Sequence, residues 1–173
     1  MKPNLLTTIV LAATSIAMAQ TTPQVGAPAP AVTLPSNDGK PVNLNDYKGK
    51  WVVLYFYPKD FTSGCTLEAQ NFQRDLAKYQ NTGAIILGVS VDNAESHKNF
   101  CAKEGLNFKL LADTDAKVSE AYGSVKDYDG KKMSARNTFI INPEGKIAKV
   151  FTGVKPQAHS EEVLQALAEL QKS

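Results

Sequence analysis

Two long apolar runs along the chain predict the centre of a β-sheet. Residues 51–57 and 84–91 are apolar at almost every position, which is typical of strands that are covered on both faces. Between them, residues 62–79 carry apolar side chains at helical spacing and polar side chains on the other face. Because a helix that joins two buried strands makes a crossover connection, we expect the two strands to run parallel.

Shorter patterns predict a hairpin before this unit and another after it. Residues 31–34 and 41–44 are strand-like and flank Ser36-Asn37-Asp38-Gly39, a typical turn sequence. Closer to the C-terminus, residues 138–141 and 146–151 flank a second turn sequence. The late hairpin is expected to add antiparallel strands to the sheet.

Further helices are predicted in the second half of the chain. Asp92 and Glu95 resemble a capping box at the start of a helix that ends before Gly105. Residues 115–122 and 158–171 predict a short helix and a final amphipathic one. This order of elements predicts an α/β fold, with a mixed central sheet flanked by helices on both faces and an N-terminal β-hairpin.

The N-terminal residues have the layout of a secretory signal rather than of a folded element. Lys2 precedes an apolar run over residues 5–18, and Ala17-Met18-Ala19 supplies the small residues that a signal peptidase reads. We therefore expect a signal peptide over residues 1–19, a flexible linker over residues 20–26 and one domain over residues 27–173. An uncleaved membrane anchor is the alternative, although the run is short for a bilayer span.

Cleavage of this signal would leave a soluble protein without stable membrane association, in the periplasm or secreted. The chain has 173 residues and a formal net charge of +2, and its charged residues are interspersed, so we expect no nucleic-acid partner. The spacing of its two cysteines and two histidines does not match a zinc site, and no dinucleotide-binding glycine pattern occurs. We expect neither a metal nor an organic cofactor.

The cysteines carry the chemistry that the sequence offers. Cys65 falls in the first turn of the predicted helix that follows the strand over residues 51–57. Unpaired backbone N–H groups and the positive end of the helix dipole lie there, which favours a thiolate over a thiol. The alternative is a structural disulfide with Cys101, which export by itself would favour.

Two neighbours of Cys65 suit displacement at an O–O bond. The Thr62 hydroxyl lies three residues before the sulfur and is expected to hydrogen-bond a peroxide oxygen, and Pro58 would shield the sulfur without offering an N–H group. The thiolate would attack one oxygen while hydrogen-bond donors stabilise the charge on the departing one. Cys65 would become a sulfenic acid.

The segment around Cys65 resembles an active-site motif. Pro58-x-x-x-Thr62-x-x-Cys65 is similar to that of the peroxiredoxins, and its flanks Tyr55-Phe56-Tyr57 and Gly64-Cys65-Thr66-x-Glu68 resemble the peroxiredoxin Q subfamily, also called bacterioferritin comigratory protein. The resemblance implies a thioredoxin-like fold that reduces hydrogen peroxide and organic hydroperoxides without a cofactor. It further implies a thioredoxin-like reductant and a monomer.

Further site residues follow from this resemblance. The active-site arginine of the family corresponds to Arg136, which would activate the sulfur and orient the peroxide; Glu68 would hold that arginine, and Gly64 belongs to the supporting motif. Family members usually carry proline at the position of Ser63 and a polar residue at that of Phe61. Either difference is expected to alter peroxide preference.

The resemblance also assigns a role to Cys101. Many relatives place a resolving cysteine at the position of Gln70, whereas one branch carries it in the next helix, where this chain has Cys101. Cys101 would attack the sulfenic acid and form a Cys65–Cys101 disulfide, as in atypical two-cysteine peroxiredoxins. The alternatives are an inert core thiol, and a thioredoxin-like binding module stapled by the same disulfide. His97 is expected to cap its helix or lie on the surface rather than assist Cys101.

Overall fold

The computed structural model describes residues 21–172. The predicted signal peptide over residues 1–19 lies outside the described residues. In chain order the elements are β1 Thr33–Pro35, β2 Pro41–Asn43, a 3-10 helix Leu44–Tyr47, β3 Trp51–Phe56, α1 Ser63–Arg74, α2 Leu76–Asn81, β4 Ala84–Ser90, α3 Ala94–Glu104, β5 Lys109–Ala112, α4 Lys117–Ala121, β6 Val125–Tyr128, β7 Lys131–Ser134, β8 Asn137–Ile141, β9 Ile147–Thr152 and α5 His159–Leu170.

The central sheet has five strands in the order β5-β4-β3-β8-β9. β3, β4 and β5 run parallel, and β8 and β9 are antiparallel additions. β3 lies in the middle and is buried at every position after Trp51, as its continuous apolar sequence predicts. The predicted mixed α/β sheet and the N-terminal hairpin of β1 and β2 are confirmed.

Each face of the sheet is covered by its own apolar cluster. On one face, side chains of α1, α2, α3 and α5 pack against β3, with Phe72, Phe100 and Leu167 fully buried. On the other face, the β1–β2 hairpin and Tyr122, just after α4, cover Leu54 and other strand residues. Helices therefore lie on both faces, and the first cluster also contains both cysteines.

The helix predicted over residues 62–79 is two helices in the structure. α1 ends at Arg74 and α2 begins at Leu76, with a break at Asp75. The Asp75 carboxylate is buried and accepts hydrogen bonds from Arg74, Lys78 and the Ser160 hydroxyl of α5. Apolar spacing continues across the break, so the hydrophobic pattern does not reveal it.

The predicted capping box of α3 is wrong. Asn93 is the N-cap, and its side-chain oxygen accepts from the Ser96 N–H at 2.9 Å. Asp92 instead accepts hydrogen bonds from the Asp60 backbone N–H and the Ser90 hydroxyl. Asp92 therefore fixes the loop that follows β3, the strand paired with β4.

The β6–β7 hairpin was not predicted. Its residues are mostly exposed and polar, so no apolar alternation marks them as strands. Its turn sequence is Asp129-Gly130, and both residues have positive φ angles, 52° and 79°. An Asp-Gly turn is a recognised hairpin signal, and it is the feature that could have revealed this element.

The N-terminal segment of the described chain runs along the domain. The Gly26 N–H donates to the Ile147 carbonyl at 2.8 Å, and Pro28 bridges to Lys146. The flexibility of the linker over residues 20–26 stays a prediction. None of the helices formed by residues 21–172 is long and apolar enough to cross a bilayer.

Candidate active site

Cys65 lies where the chain passes from the central strand into the first helix. β3 ends at Phe56, and α1 begins at Ser63, so that Cys65 occupies the first turn. The backbone N–H groups of this turn have no partners within the helix, and they carry the positive end of the helix dipole. The thiol is free and only 1% exposed, because its side chain points into the apolar cluster around Phe72.

Arg136 contacts the sulfur directly. Its Nη2 atom lies 3.1 Å from Cys65 Sγ, and its Nη1 atom lies 2.5 Å from Glu68 Oε2. The arginine reaches the site from the segment between β7 and β8, 71 residues from the cysteine. One planar guanidinium therefore bridges two groups of α1 and stabilises negative charge on the sulfur.

Glu68 is the buried anchor of this arginine. Burial raises the pKa of the Glu68 carboxyl to about 7, although the Arg136 charge and hydrogen bond lower it. Its Oε2 atom is bonded to Arg136, whereas the buried Oε1 atom has no hydrogen-bond partner among residues 21–172. The carboxyl therefore changes charge near neutrality, directly behind the guanidinium that contacts Cys65.

Gly64 makes room for the guanidinium. A Cβ atom at this position would lie 2.8 Å from Arg136 Nη2, closer than carbon and nitrogen atoms normally approach. The backbone of Gly64 does not have a positive φ angle, so the requirement concerns space rather than conformation. Gly64 is thus a supporting residue of the site, at the position where the motif carries it.

Pro58 and Arg136 also line a cavity of about 280 Å³ that reaches the surface. The cavity is further lined by Ala135, Asn137, Gly153 and Val154, and by Lys126 and Tyr128 of the β6–β7 hairpin. A hydroperoxide group reaching Arg136 through this cavity would approach the guanidinium beside the sulfur. The hydrophobic pattern of the sequence does not predict the β6–β7 hairpin, so it also does not predict that Lys126 and Tyr128 line the cavity.

Thr62 is the residue before α1 and does not cap it through its side chain. Its hydroxyl donates to the Lys59 carbonyl at 3.0 Å. The oxygen keeps lone pairs for a further donor, but the hydroxyl must rotate away from Lys59 to donate to a bound peroxide. The structure thus places Thr62 at the start of the cysteine turn with its hydroxyl engaged in the loop.

Cys101 lies on the neighbouring helix, α3. Its thiol is free and 7% exposed, and it belongs to the same apolar cluster as Cys65. Burial, with a smaller contribution from the Asp60 charge, raises the pKa of Cys101 to about 12. In this arrangement Cys101 is a protonated thiol that is not bonded to Cys65.

His97 and Asp60 form a buried polar cluster that the sequence analysis missed. The predicted surface or capping role of His97 is wrong: the side chain is fully buried and its Nδ1 atom lies 2.9 Å from Asp60 Oδ2. Asp60 lies in the loop between β3 and α1, and Tyr57 and Ser96 also donate to its carboxylate. No local sequence pattern around either residue gives a sign of this pairing, because the two residues are 37 positions apart.

Phe61 lies in the same loop and has a φ angle of 62°, a left-handed conformation that is uncommon for a bulky residue. Its ring is 46% exposed and packs edge-on against Phe100, with centroids 5.1 Å apart. The Lys103 ammonium lies 5.5 Å from the ring centre. The loop before Cys65 is therefore fastened to α3 through both an acidic and an aromatic residue.

Within residues 21–172, no three side chains of His, Cys, Asp or Glu are grouped so that they could hold a metal ion. The site consists instead of a thiol, a guanidinium and a carboxyl group beside an open cavity. A buried cysteine at a helix start, contacted by an arginine on a mixed sheet of this topology, defines a thiol-dependent redox site on a thioredoxin-like fold.

Comparison with known proteins assigns the family. Residues 25–150 match the AhpC/TSA family. Peroxiredoxin Bcp of Bacillus subtilis is 41% identical over 151 residues, which cover 85% of this chain and 96% of the relative. Peroxiredoxin Bcp of Escherichia coli is 40% identical over 145 residues, covering 82% and 93%. Peroxiredoxin Q of Xanthomonas campestris has a similar structure, with a TM-score of 0.76 at 39% identity, covering 80% of this chain and 90% of that one.

The chain therefore belongs to the AhpC/TSA family, among the peroxiredoxins of the Bcp or peroxiredoxin Q group. Membership of this group makes it a thiol peroxidase. The resemblance stated from the motif around Cys65 is confirmed at the level of the family.

Proposed function

We propose that the protein reduces hydrogen peroxide and organic hydroperoxides with Cys65 as the nucleophile, Cys101 as the resolving cysteine and a thioredoxin-like protein as the electron donor. The observation that carries the proposal is the contact between Arg136 and Cys65, 3.1 Å from nitrogen to sulfur. A related structure is described as concerning the alkyl peroxide reduction activity of the Xanthomonas campestris bacterioferritin comigratory protein, which supports the same class of substrate.

In the first step the Cys65 thiolate attacks one oxygen of the hydroperoxide. An S–O bond forms while the O–O bond breaks, so that the sulfur loses two electrons and the peroxide gains them. The departing oxygen takes up a proton and leaves as water or an alcohol. Arg136 stabilises the charge that moves from the sulfur to this oxygen, and Thr62 donates to it after its hydroxyl turns from Lys59.

In the second step Cys101 attacks the sulfur of the Cys65 sulfenic acid. An S–S bond forms, the S–O bond breaks, and hydroxide leaves and takes up a proton to become water. A dithiol donor then reduces the Cys65–Cys101 disulfide and is itself oxidised to a disulfide. Arg136, Glu68, Gly64 and Pro58 hold the site in place, and no metal or organic cofactor takes part.

We also propose that this chemistry takes place after export, in the periplasm or outside the cell, with the protein as a monomer. The A-x-A site before Gln20 supports export. The compartment outside the cytoplasm is oxidising, so a dedicated thioredoxin-like partner must deliver the electrons.

Steady-state turnover with hydrogen peroxide and a reduced thioredoxin-like donor tests the proposal. We expect the wild-type protein to turn over, Cys65→Ser to be inactive, and Cys101→Ser to consume about one equivalent of peroxide before slowing sharply. Turnover by Cys101→Ser at the wild-type rate would show that Cys101 does not resolve the sulfenic acid. Turnover by Cys65→Ser would overturn the proposal as a whole.

A further inference from the structure

Asp60 is the most heavily bonded side chain of the loop that precedes Cys65. Its Oδ1 atom accepts from the Tyr57 hydroxyl at 2.7 Å, and its Oδ2 atom accepts from the Ser96 hydroxyl at 2.7 Å and faces His97 Nδ1 at 2.9 Å. Its backbone N–H donates to Asp92. Burial opposes ionisation of Asp60, but hydrogen bonds from His97, Ser96 and Tyr57 outweigh it and lower its pKa. The loop therefore carries a buried carboxylate.

His97 completes this arrangement from the side of α3. Its Nδ1 atom faces the Asp60 carboxylate, and its Nε2 atom lies 3.2 Å from the Leu111 carbonyl of β5. The Asp60 carboxylate and the Leu111 carbonyl are both hydrogen-bond acceptors, so each ring nitrogen of His97 faces an acceptor on a different segment. His97 therefore ties α3 at once to the loop before Cys65 and to the edge of the central sheet.

These contacts join the two segments that bear the cysteines. Asp60 precedes Cys65 by five residues, and His97 precedes Cys101 by four, one helical turn. The ring contact between Phe61 and Phe100 is a second connection between the same two segments, next to Cys101 in the chain. α3 is thus held against the loop in two places on the N-terminal side of Cys101.

Resolution of a sulfenic acid by Cys101 requires this arrangement to open. Both thiols are free and nearly fully buried, and they are not bonded to each other, whereas a disulfide needs its sulfur atoms about 2.05 Å apart. Burial also keeps the Cys101 thiol protonated, through a pKa of about 12, although the attacking species is a thiolate. Movement of α3 out of the cluster removes both obstacles.

We propose that the Asp60–His97 pair is a latch that holds α3 closed, and that opening of this latch sets the rate at which Cys101 attacks the oxidised Cys65. The inference rests on the proposed resolving role of Cys101. His97 acts as a positioning residue, since its hydrogen bonds go to Asp60, Leu111 and Tyr57 and it does not line the cavity. On opening, the Cys101 thiolate forms the S–S bond, and hydroxide leaves Cys65 and becomes water.

The latch also determines how the enzyme responds to excess peroxide. While α3 is closed, the Cys65 sulfenic acid remains in the site and is open to a second hydroperoxide, which would oxidise it to sulfinic acid and leave as water or an alcohol. A stronger latch prolongs this exposure, and a weaker one shortens it. Loosening the latch is therefore expected to protect the enzyme from inactivation at high peroxide concentrations.

Two substitutions of His97 separate its two hydrogen bonds. In His97→Gln the amide nitrogen takes the place of Nε2, so the bond to Leu111 is kept and the bond to Asp60 is lost. In His97→Asn the amide nitrogen takes the place of Nδ1 and keeps the bond to Asp60. Sulfenate formation is measured as the consumption of one added equivalent of hydrogen peroxide. Disulfide formation is measured by acid quenching, alkylation and mass spectrometry.

We expect disulfide formation in His97→Gln to accelerate by about tenfold, which is the effect of losing one hydrogen bond to a charged group on an opening equilibrium. Sulfenate formation should be unchanged, and His97→Asn should accelerate disulfide formation less than His97→Gln does. A merely structural role would slow both steps together. If either variant fails to fold, Ser96→Ala, which removes only the hydroxyl on Asp60, supplies the same comparison.

The outcomes distinguish the latch from the proposed function. If the disulfide forms at equal rates in the wild type, His97→Gln and Ser96→Ala, the latch is wrong and the resolving role of Cys101 stands. If no Cys65–Cys101 disulfide forms in the wild type, the resolving role fails and the latch fails with it. Faster disulfide formation in His97→Gln, with an unchanged first step, supports both.

Discussion

Arg136 links the chemistry of Cys65 to the packing of α1. Its guanidinium contacts the sulfur at 3.1 Å and the Glu68 carboxyl at 2.5 Å, and Gly64 leaves the space in which it lies. A shift of the guanidinium by a fraction of an ångström would change the hydrogen bond to the sulfur without disturbing the core. Substitutions around it should therefore affect reactivity more than stability.

Gly64→Ala tests this separation of reactivity from stability. The added Cβ atom would meet Arg136 Nη2 at 2.8 Å and push the guanidinium away, and a displacement approaching 1 Å costs about 10²-fold in rate. The second-order rate constant with hydrogen peroxide should fall towards this extent while the Tm changes little, because alanine favours a helix. Ser63→Ala, on the same turn, is the control; equal rate constants in both variants would contradict the role of Gly64.

The pH dependence of the peroxide reaction should reveal the charge of Glu68. Burial raises the pKa of this carboxyl from 4.5 to about 7, so it is ionised above pH 7 and loses its charge as the pH falls through about 7. The ion pair that holds Arg136 weakens as Glu68 loses its charge, and the second-order rate constant with hydrogen peroxide should therefore fall. Glu68→Gln should be slower by about tenfold at pH 8, the effect of weakening one charge-assisted hydrogen bond.

The comparison with Glu68→Gln separates this carboxyl from the other groups that titrate. When the rate constant with hydrogen peroxide is measured against pH, the profile of Glu68→Gln should lack the inflection near pH 7 that we expect for the wild type, because an amide does not ionise. Glu169→Gln replaces an exposed glutamate of α5 and should behave as the wild type does. An unchanged inflection in Glu68→Gln would assign it to another group.

Sequence reasoning reached some of these residues and not others, for a physical reason. The position of Cys65 at a helix start follows from local patterns, namely a buried strand, a proline and an amphipathic helix. The contact between Arg136 and Cys65 spans 71 residues, and no periodicity reports such a contact; only the family resemblance indicated it. Asp60 and His97 were missed because burial of a polar pair depends on tertiary packing.

At the scale of whole elements, the hydrogen bonds of polar side chains decide where the helices begin and end. Asp75 divides one predicted helix into α1 and α2, and Asn93 rather than Asp92 caps α3. In each case the acidic residue bonds a partner from another part of the fold. Apolar spacing therefore predicts that helices exist and which face is buried, whereas their ends depend on tertiary partners.

Asp75→Asn should weaken the junction of α1, α2 and α5. The hydrogen bond from Arg74, with those from Lys78 and Ser160, lowers the pKa of Asp75 to about 2 from 3.8, against the effect of burial. Its contribution to stability is therefore present above pH 3.8 and is lost as the pH falls towards 2. At pH 7 the free energy of unfolding should drop by about 1–3 kcal/mol, the cost of disrupting buried hydrogen bonds to a charged group.

Urea denaturation at pH 7 and at pH 3 measures this contribution. The difference in the free energy of unfolding between the wild type and Asp75→Asn should narrow at pH 3, because below pH 3.8 the unfolded chain takes up a proton at Asp75, whereas the native carboxylate, with its pKa of about 2, stays mostly ionised. Asp115→Asn serves as the control, since Asp115 is an exposed carboxylate paired only with a neighbouring lysine on the surface. If the free energies of unfolding of the wild type and Asp75→Asn differ by the same amount at both pH values, the charge of Asp75 does not contribute to stability.

For the molecule as a whole, the apolar clusters on the two faces of the central sheet have different roles. The cluster on the side of Tyr122 contains no cysteine and fixes the N-terminal hairpin to the sheet. The cluster on the side of Phe72 contains both thiols and the helices that carry them. The sequence predicts this layered architecture from hydrophobic patterning, but it does not predict that both cysteines share one cluster, because α1 and α3 are adjacent only after folding.

The central claim is that Cys65 is the sulfur that a hydroperoxide oxidises first. The most direct measurement uses reduced Cys101→Ser protein mixed with one equivalent of hydrogen peroxide in the presence of dimedone, followed by peptide mass spectrometry, with Cys65→Ser as the parallel sample. We expect a dimedone adduct on Cys65 in the first variant and no adduct on Cys101 in the second. An adduct on Cys101, or an unmodified Cys65 after the peroxide is consumed, would contradict the assignment of Cys65 as the nucleophile.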